Sequence, residues 1–100
     1  MAFQYEFEWD KSKAKTNFRK HGVSFEQATQ VFRDPLALTV PDDQHSEIEV
    51  RWITLGKDVR GRYLVVAHTF QQTTAHMAQV RLISVRVPTR AEIESYEEGL

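Results

Sequence analysis

No cysteine occurs in the 100 residues, which excludes disulfide staples and thiolate zinc sites alike. Glycine is scarce, with four residues in all, and none belongs to a phosphate-cradling loop or a nucleophile elbow. No apolar run approaches the roughly 20 residues that cross a bilayer. The opening Met1-Ala2-Phe3-Gln4-Tyr5-Glu6 lacks the basic-then-apolar pattern of a secretory signal, so a reducing, cytoplasmic location is expected. Repeats, linkers and low-complexity stretches are also missing, and the length suits a single domain over 1–100.

Net charge is nearly absent at −1, but its distribution is uneven. Residues 1–24 carry five Lys/Arg against three acids, and 25–49 carry one against six. Residues 50–90 carry seven against one, and 91–100 carry four acids and no base. Two basic blocks are therefore masked by two acidic ones, and the local field is what steers a phosphate polymer. Scatter over a solvated surface is the competing explanation.

Phe3, Tyr5, Phe7 and Trp9 alternate with Gln4, Glu6 and Glu8, which predicts a strand with one buried face. Asp10 is placed to cap a helix over 11–21, with Gly22 ending it. Ser24 and Gln27 form a capping box for a second helix, which Asp34-Pro35 stops. Strand patterns follow at 36–40, 47–55, 62–70 and 79–87, with the polar stretch 71–78 expected as a loop. Thr89 and Glu92 cap a short closing helix that carries Ile93 and Tyr96 on one face. The sum is an α+β fold: two N-terminal helices, an antiparallel sheet of about four to five strands, and a C-terminal helix.

Chemistry concentrates in two places. On the first helix, Lys13, Asn17, Lys20 and His21 form one stripe, while Lys11, Lys15 and Arg19 form another on the opposite flank. Like charges at i, i+4 cost a few tenths of a kcal/mol each, a cost that an anionic partner would offset. A solvated basic face, or cations placed in the last turn for the helix dipole, explains the same residues. On the strands lie Arg51, Arg62, Arg81 and Arg86, with Glu49 two residues before Arg51. Arginines on a sheet need partners: carboxylates would make an ion-pair network, and a phosphodiester would make a binding site. Arg81 and Arg86 are five apart and face opposite ways in a regular strand, unless a bulge intervenes. The four histidines, His21, His45, His68 and His76, match no metal-ligand spacing, so neither a metal nor a cofactor is expected. His68 is expected in the core, His76 in solvent, and His45 at a turn. Tyr5, Trp9, Trp52 and Tyr63 could stack on bases, although strand periodicity assigns most of them to the core.

These positions together resemble the BrnT family of ribonuclease toxins from type II toxin–antitoxin systems. The resemblance runs through Phe7-Glu8-Trp9-Asp10, Lys13 with Asn17, and Lys20-His21-Gly22-Val23-Ser24-Phe25-Glu26. It continues through Val31-Phe32 with Asp34-Pro35, His45-Ser46 with Glu49 and Arg51, and Gly61-Arg62. It closes with Arg81-Leu82-Ile83-Ser84-Val85-Arg86 and the helix from Thr89 to Tyr96. Two features depart from the family's pattern: a longer 71–78 stretch, and Pro88 where a small residue is usual. The resemblance implies a RelE-like fold, ribonuclease activity that slows translation, and a BrnA-like ribbon-helix-helix antitoxin through which operator DNA is bound. It also implies that the family's motif positions fall on Lys20, His21, Arg51, Arg62, Arg81 and Arg86.

RNA can be cut without metal when its own 2′-OH attacks the adjacent phosphate. The protein then orients the strand, moves protons and neutralises charge developing on phosphorus. His21 is the first candidate for the proton work and Glu49 the second, with Lys20 and the arginines on the phosphate. The rival reading is a non-catalytic module whose basic stripe docks an acidic partner as a co-repressor subunit.

Overall fold

The computed structural model describes residues 3–45 and 48–99. Strand β1, Gln4–Glu8, turns Tyr5 and Phe7 inward and Gln4, Glu6 and Glu8 to solvent, as its alternation requires. Helix α1, Lys11–His21, starts where the Asp10 carboxylate accepts the Lys13 N–H at 3.0 Å. It ends at Gly22, whose φ of 71° favours glycine. Helix α2, Phe25–Gln30, opens on the reciprocal Ser24–Gln27 capping box and tightens into a 3₁₀ turn at Val31–Arg33.

Four strands follow in a row: β2, Leu38–Pro41; β3, Trp52–Lys57; β4, Tyr63–His68; and β5, Gln71–Thr74. The long β6, Met77–Arg86, and helix α3, Arg90–Glu98, complete the chain. The sheet runs β1-β6-β4-β3-β2, with β5 also pairing β6. All pairings are antiparallel except β1 with β6, so the sheet is mixed rather than purely antiparallel. Aromatic alternation reports a buried face and is blind to strand direction. No hairpin joins β1 to β6, so nothing in the local sequence fixed their relative sense.

One face of the sheet packs Leu64, Val66, Val80, Leu82 and Val85 against Val23, Phe25, Ala28 and Val31. The other face is partly covered by α3, whose Tyr96 rests on Leu55 and Val65. The Tyr96 hydroxyl donates to Asp34 Oδ2 at 2.7 Å, and Tyr63 donates to Glu97 at 2.8 Å. Burial, with the Asp34 bond, pushes the Tyr96 phenol up to about 12. Asp34 also accepts the backbone N–H groups of Leu36 and Lys57, so the residue that stops the helices also anchors β3. Gly56 lets β3 approach this turn. A Cβ there would stand 3.2 Å from both Val31 and Ala37 Cβ, tighter than ordinary contact.

Two expectations are corrected. Residues 48–51 are not part of β3, which starts at Trp52; Ile48 and Val50 are exposed, and Glu47 lies outside the described residues. The segment is held instead by the Asp42 N–H donating to the Arg51 carbonyl at 2.8 Å. Stretch 71–78 is not a loop: β5 folds back on the start of β6. Both faces of β5 are exposed, so its Gln and Thr residues carry no hydrophobic alternation to mark a strand.

Strand β1 accompanies β6 only as far as Arg81. Beyond it, the same edge of β6 is closed by the amide of Asn17. Its Nδ2 donates to the Val85 carbonyl at 2.8 Å, and its Oδ1 accepts the Val85 N–H at 3.1 Å. Asn17 is thus a buried stand-in for a strand, not a member of the basic stripe. Asn17→Ala strands two backbone groups and is expected to cost on the order of 2–4 kcal/mol, read as a lower urea midpoint with an unchanged slope.

His68 is buried beside Phe32, with ring centroids 4.8 Å apart. Burial disfavours its imidazolium and holds its pKa below the ordinary 6.5. The unfolded chain therefore binds a proton that the folded chain refuses. The stability this supplies is complete above about pH 6.5 and is lost as pH falls through the folded value. Asp34, Asp58 and Glu92, with pKa values held below their usual ones, lose their contributions only in more acidic solution. Urea midpoints measured from pH 7.5 down to 5 are expected to decline, and His68→Gln to flatten that decline.

Candidate functional site

The register of β4 against β6 slips once. Ala67 lies opposite Ser84 while His68 lies opposite Leu82, leaving Ile83 as the extra residue of a β-bulge. Buried side chains on β6 accordingly run Ala78, Val80, Leu82 and then Val85. The bulge resets the parity, so Arg81 and Arg86 point from the same face, away from the helices α1 and α2. This is the face that α3 only partly covers.

At one end of that face Glu49 holds two arginines. Its Oε1 accepts from Arg51 Nη2 at 3.4 Å and from Arg81 Nη2. Gln44, His45, Ile48, Glu49 and Arg51 line a depression of 220 Å³. His45, in the 3₁₀ turn Asp43–His45, places Nδ1 3.0 and 3.1 Å from the two oxygens of Asp42. In the neutral ring a carboxylate there holds the proton on Nδ1 and leaves Nε2 as the acceptor, in the depression that Arg51 also lines. Sequence reasoning read His45 as a turn residue. The signal that could have found it is the three-residue spacing Asp42…His45, which a single helical turn closes.

A second groove, of 340 Å³, opens between α1 and β6, lined by Lys13, Thr16, Asn17, Lys20, His21, Ile83 and Ser84 among others. Ser84 lies on the face of Arg81 and Arg86, so this groove, with Lys20 and His21, runs along the edge of β6 between the helix side and the arginine side. Arg86 is engaged by α3 through two bonds to Glu92, Nη1 to Oε1 and Nη2 to Oε2, both 2.9 Å. That pairing, with help from the Thr89 cap, holds the Glu92 carboxyl down to about 2.

Arg62 is not brought to the Glu49 end of this face. It stands beyond the Lys57–Tyr63 end of the β3–β4 pair, about 20 Å along the strand from His68 and three residues from Val65, the partner of Arg86. Its Nε donates to the buried Asp58 at 3.0 Å, and Asp58 also accepts the N–H groups of Arg60 and Arg62. Arg62 therefore belongs to the β3–β4 turn. The outer stripe of α1 also lies elsewhere: Lys15 and Arg19 border a groove containing Ala14, Phe18 and Phe25, in which Phe18 is 53% exposed. Among the described residues no group of three or more His, Asp or Glu side chains converges as a metal site.

A family model described as the ribonuclease toxin BrnT of type II toxin–antitoxin systems matches residues 9–92. The chain belongs to the BrnT family. The crystal structure of the ribonuclease toxin BrnT of Brucella abortus superposes with a TM-score of 0.60 at 19% identity. The match covers 89% of this chain and all of that one, and it shows a shared fold. No curated protein matches. Membership makes the chain a toxin of a BrnT-like toxin–antitoxin system, with a cognate antitoxin as its partner. No described helix is long and apolar enough to cross a membrane.

The two ends of the sheet separate experimentally. Arg81→Ala is expected to lower RNA cleavage by about 10²- to 10³-fold, while Arg62→Ala lowers it less than about threefold and mainly lowers the thermal midpoint. Comparable losses of cleavage in the two variants would place Arg62 in the site after all.

Proposed function

We propose that the chain is a metal-independent endoribonuclease whose active surface is the face of β6 carrying Arg81 and Arg86. The observation that carries this reading is the bulge at Ile83, which sets both arginines on the face where Glu49 gathers Arg51. A phosphodiester entering there meets guanidinium forks matched to its oxygens. The RNA 2′-oxygen forms a bond to phosphorus as the bond to the 5′-oxygen breaks. His45 Nε2, with Nδ1 anchored on Asp42, accepts the 2′-OH proton. Lys20 and His21, in the separate groove at the edge of β6, hold the adjoining stretch of the RNA backbone, and water protonates the departing 5′-oxygen. Glu49 acts as a positioning residue, because its oxygen already serves two arginine donors.

In this reading the toxin works in the cytoplasm and slows translation by destroying RNA. A BrnA-like ribbon-helix-helix antitoxin neutralises it and carries the complex to operator DNA. The rival, a non-catalytic co-repressor subunit, is favoured by one observation: the outer stripe of Lys15 and Arg19 flanks exposed Phe18 away from the arginine face. That surface suits an acidic partner segment whether or not the chain cuts RNA.

Purified protein incubated with RNA is expected to yield 2′,3′-cyclic phosphate and 5′-OH ends at the same rate with and without chelator. His45→Ala should slow cleavage by about 10²- to 10⁴-fold. Ends bearing 3′-OH and 5′-phosphate would refute the mechanism. Induced expression that leaves bacterial growth unaffected, with soluble protein present, would favour the rival.

A further inference from the structure

The face opposite the arginines carries a cavity that the proposed chemistry does not use. It measures 260 Å³, below the roughly 300–1,000 Å³ of sites for drug-sized ligands, and is lined by Tyr5, Phe32, Thr39, Trp52, Thr54, His68 and Phe70. Four aromatic rings therefore surround a space sized for one ring system. Phe70 is 41% exposed and Trp52 is half-buried, so neither is spent wholly on the core.

The floor of this cavity is a hydrogen-bonded chain whose directions are fixed by proton counting. His68 Nδ1 lies 2.8 Å from the Thr69 carbonyl, which can only accept, so Nδ1 carries the proton. Nε2 is then an acceptor, and the Thr54 hydroxyl, 2.7 Å away, must donate to it. Thr54 has no second proton, so the Thr39 hydroxyl at 2.8 Å donates to Thr54. The Thr39 oxygen, at the exposed edge of β2, is left with lone pairs alone. A ligand that satisfies it must bring an N–H or O–H.

The cavity is also wired to the arginine face. Trp52 follows Arg51 in the chain; the indole lines the cavity while the Arg51 guanidinium shares Glu49 with Arg81. Thr69, whose carbonyl holds His68, exchanges bonds with Arg81: its N–H donates to the Arg81 carbonyl at 3.0 Å, and its hydroxyl accepts the Arg81 N–H at 3.1 Å.

We propose that this aromatic cavity is a nucleobase subsite, taking a base that stacks between the rings and presents an N–H edge to Thr39. The proposal rests on the reading of the chain as an RNA-cutting enzyme. It places a neighbouring nucleotide of the substrate, the one whose backbone rounds the Arg51–Trp52 end of β3, in a pocket separate from the phosphate site. Base stacking on aromatic side chains is worth about 1–3 kcal/mol per base, and the acceptor at Thr39 adds discrimination.

Uncharged nucleosides test the pocket without engaging the arginines. In a Trp9→Phe protein, Trp52 is the only indole, and its emission reports occupancy. Adenosine is expected to quench it saturably. Purine riboside, the same ring system without the exocyclic amino group, should bind roughly three- to tenfold more weakly, the worth of one neutral hydrogen bond. Thr39→Val should abolish that difference while leaving far-ultraviolet circular dichroism unchanged, and Phe70→Ala should weaken both nucleosides. Absence of saturable quenching overturns the proposal, as does an adenosine preference that survives Thr39→Val. Cleavage without nucleoside binding would sink this subsite and spare the nuclease reading; nucleoside binding without cleavage would do the reverse.

Discussion

The arrangement depends on how β6 is finished past Arg81, where its parallel partner β1 leaves it. A buried strand edge must have its N–H and C=O groups satisfied. Here the amide of Asn17 takes both groups of Val85, so a helix side chain replaces a strand. That contact docks α1 against β6 and brings Lys20 and His21 beside Ser84. It also sits two residues beyond the bulge at Ile83, where β6 is free of β1 and paired to β4 with a shifted register. Remove the amide, and both the seat of α1 and the local course of β6 lose their support. The basic surface therefore rests on a neutral, buried residue.

The arginine face illustrates how cations are kept close before any substrate arrives. Guanidinium groups on one surface repel one another, and each here is held by an acid: Arg51 and Arg81 share Glu49, and Arg86 has Glu92. These pairs are partly exposed, so they contribute little to stability. Their effect is to fix side-chain direction, which in the proposed reading reduces the entropy lost when a phosphodiester binds. Asp58 does for Arg62 what Glu49 does for Arg81, but in a turn at the other end of the sheet. Chemically equal arginines thus acquire different roles from their positions alone.

Much of the fold was legible because local signals agreed with tertiary demands. Asp10, Ser24 with Gln27, and Thr89 with Glu92 cap the helices as spacing requires, and the central strand around Val65 and Val66 is apolar on both faces. The illegible parts are those where the deciding partner is distant. The sense of β1 is set by β6, some seventy residues away in the register Glu6↔Gln79. The stretch Gln71–Thr74 is a strand only because β6 offers an edge, and Ile48 and Val50 fall outside one because none reaches them. For the proposed site, the sequence offers the residue types but not their grouping. Strand parity put Arg81 and Arg86 apart, and a single extra residue at Ile83, invisible to periodicity, reunites them. Asn17 looked like one more polar residue on a basic helix because its partner, the Val85 backbone, has no side-chain signature.

In the proposed reading one short segment serves two ligand chemistries. Arg51 and Trp52 are bonded neighbours, yet the guanidinium shares Glu49 with Arg81 on one side of the sheet while the indole lines the cavity on the other. On one side the surroundings are charged and open, which suits a phosphate. On the other, burial around His68 has removed water, so hydroxyl directions are fixed by the imidazole tautomer and cannot rotate to suit a ligand. A rotatable hydroxyl in water accepts and donates with equal ease and selects nothing. The dry chain from Thr69 through His68 and Thr54 removes that freedom from Thr39, and so turns the core's need for paired polar groups into selectivity at the surface.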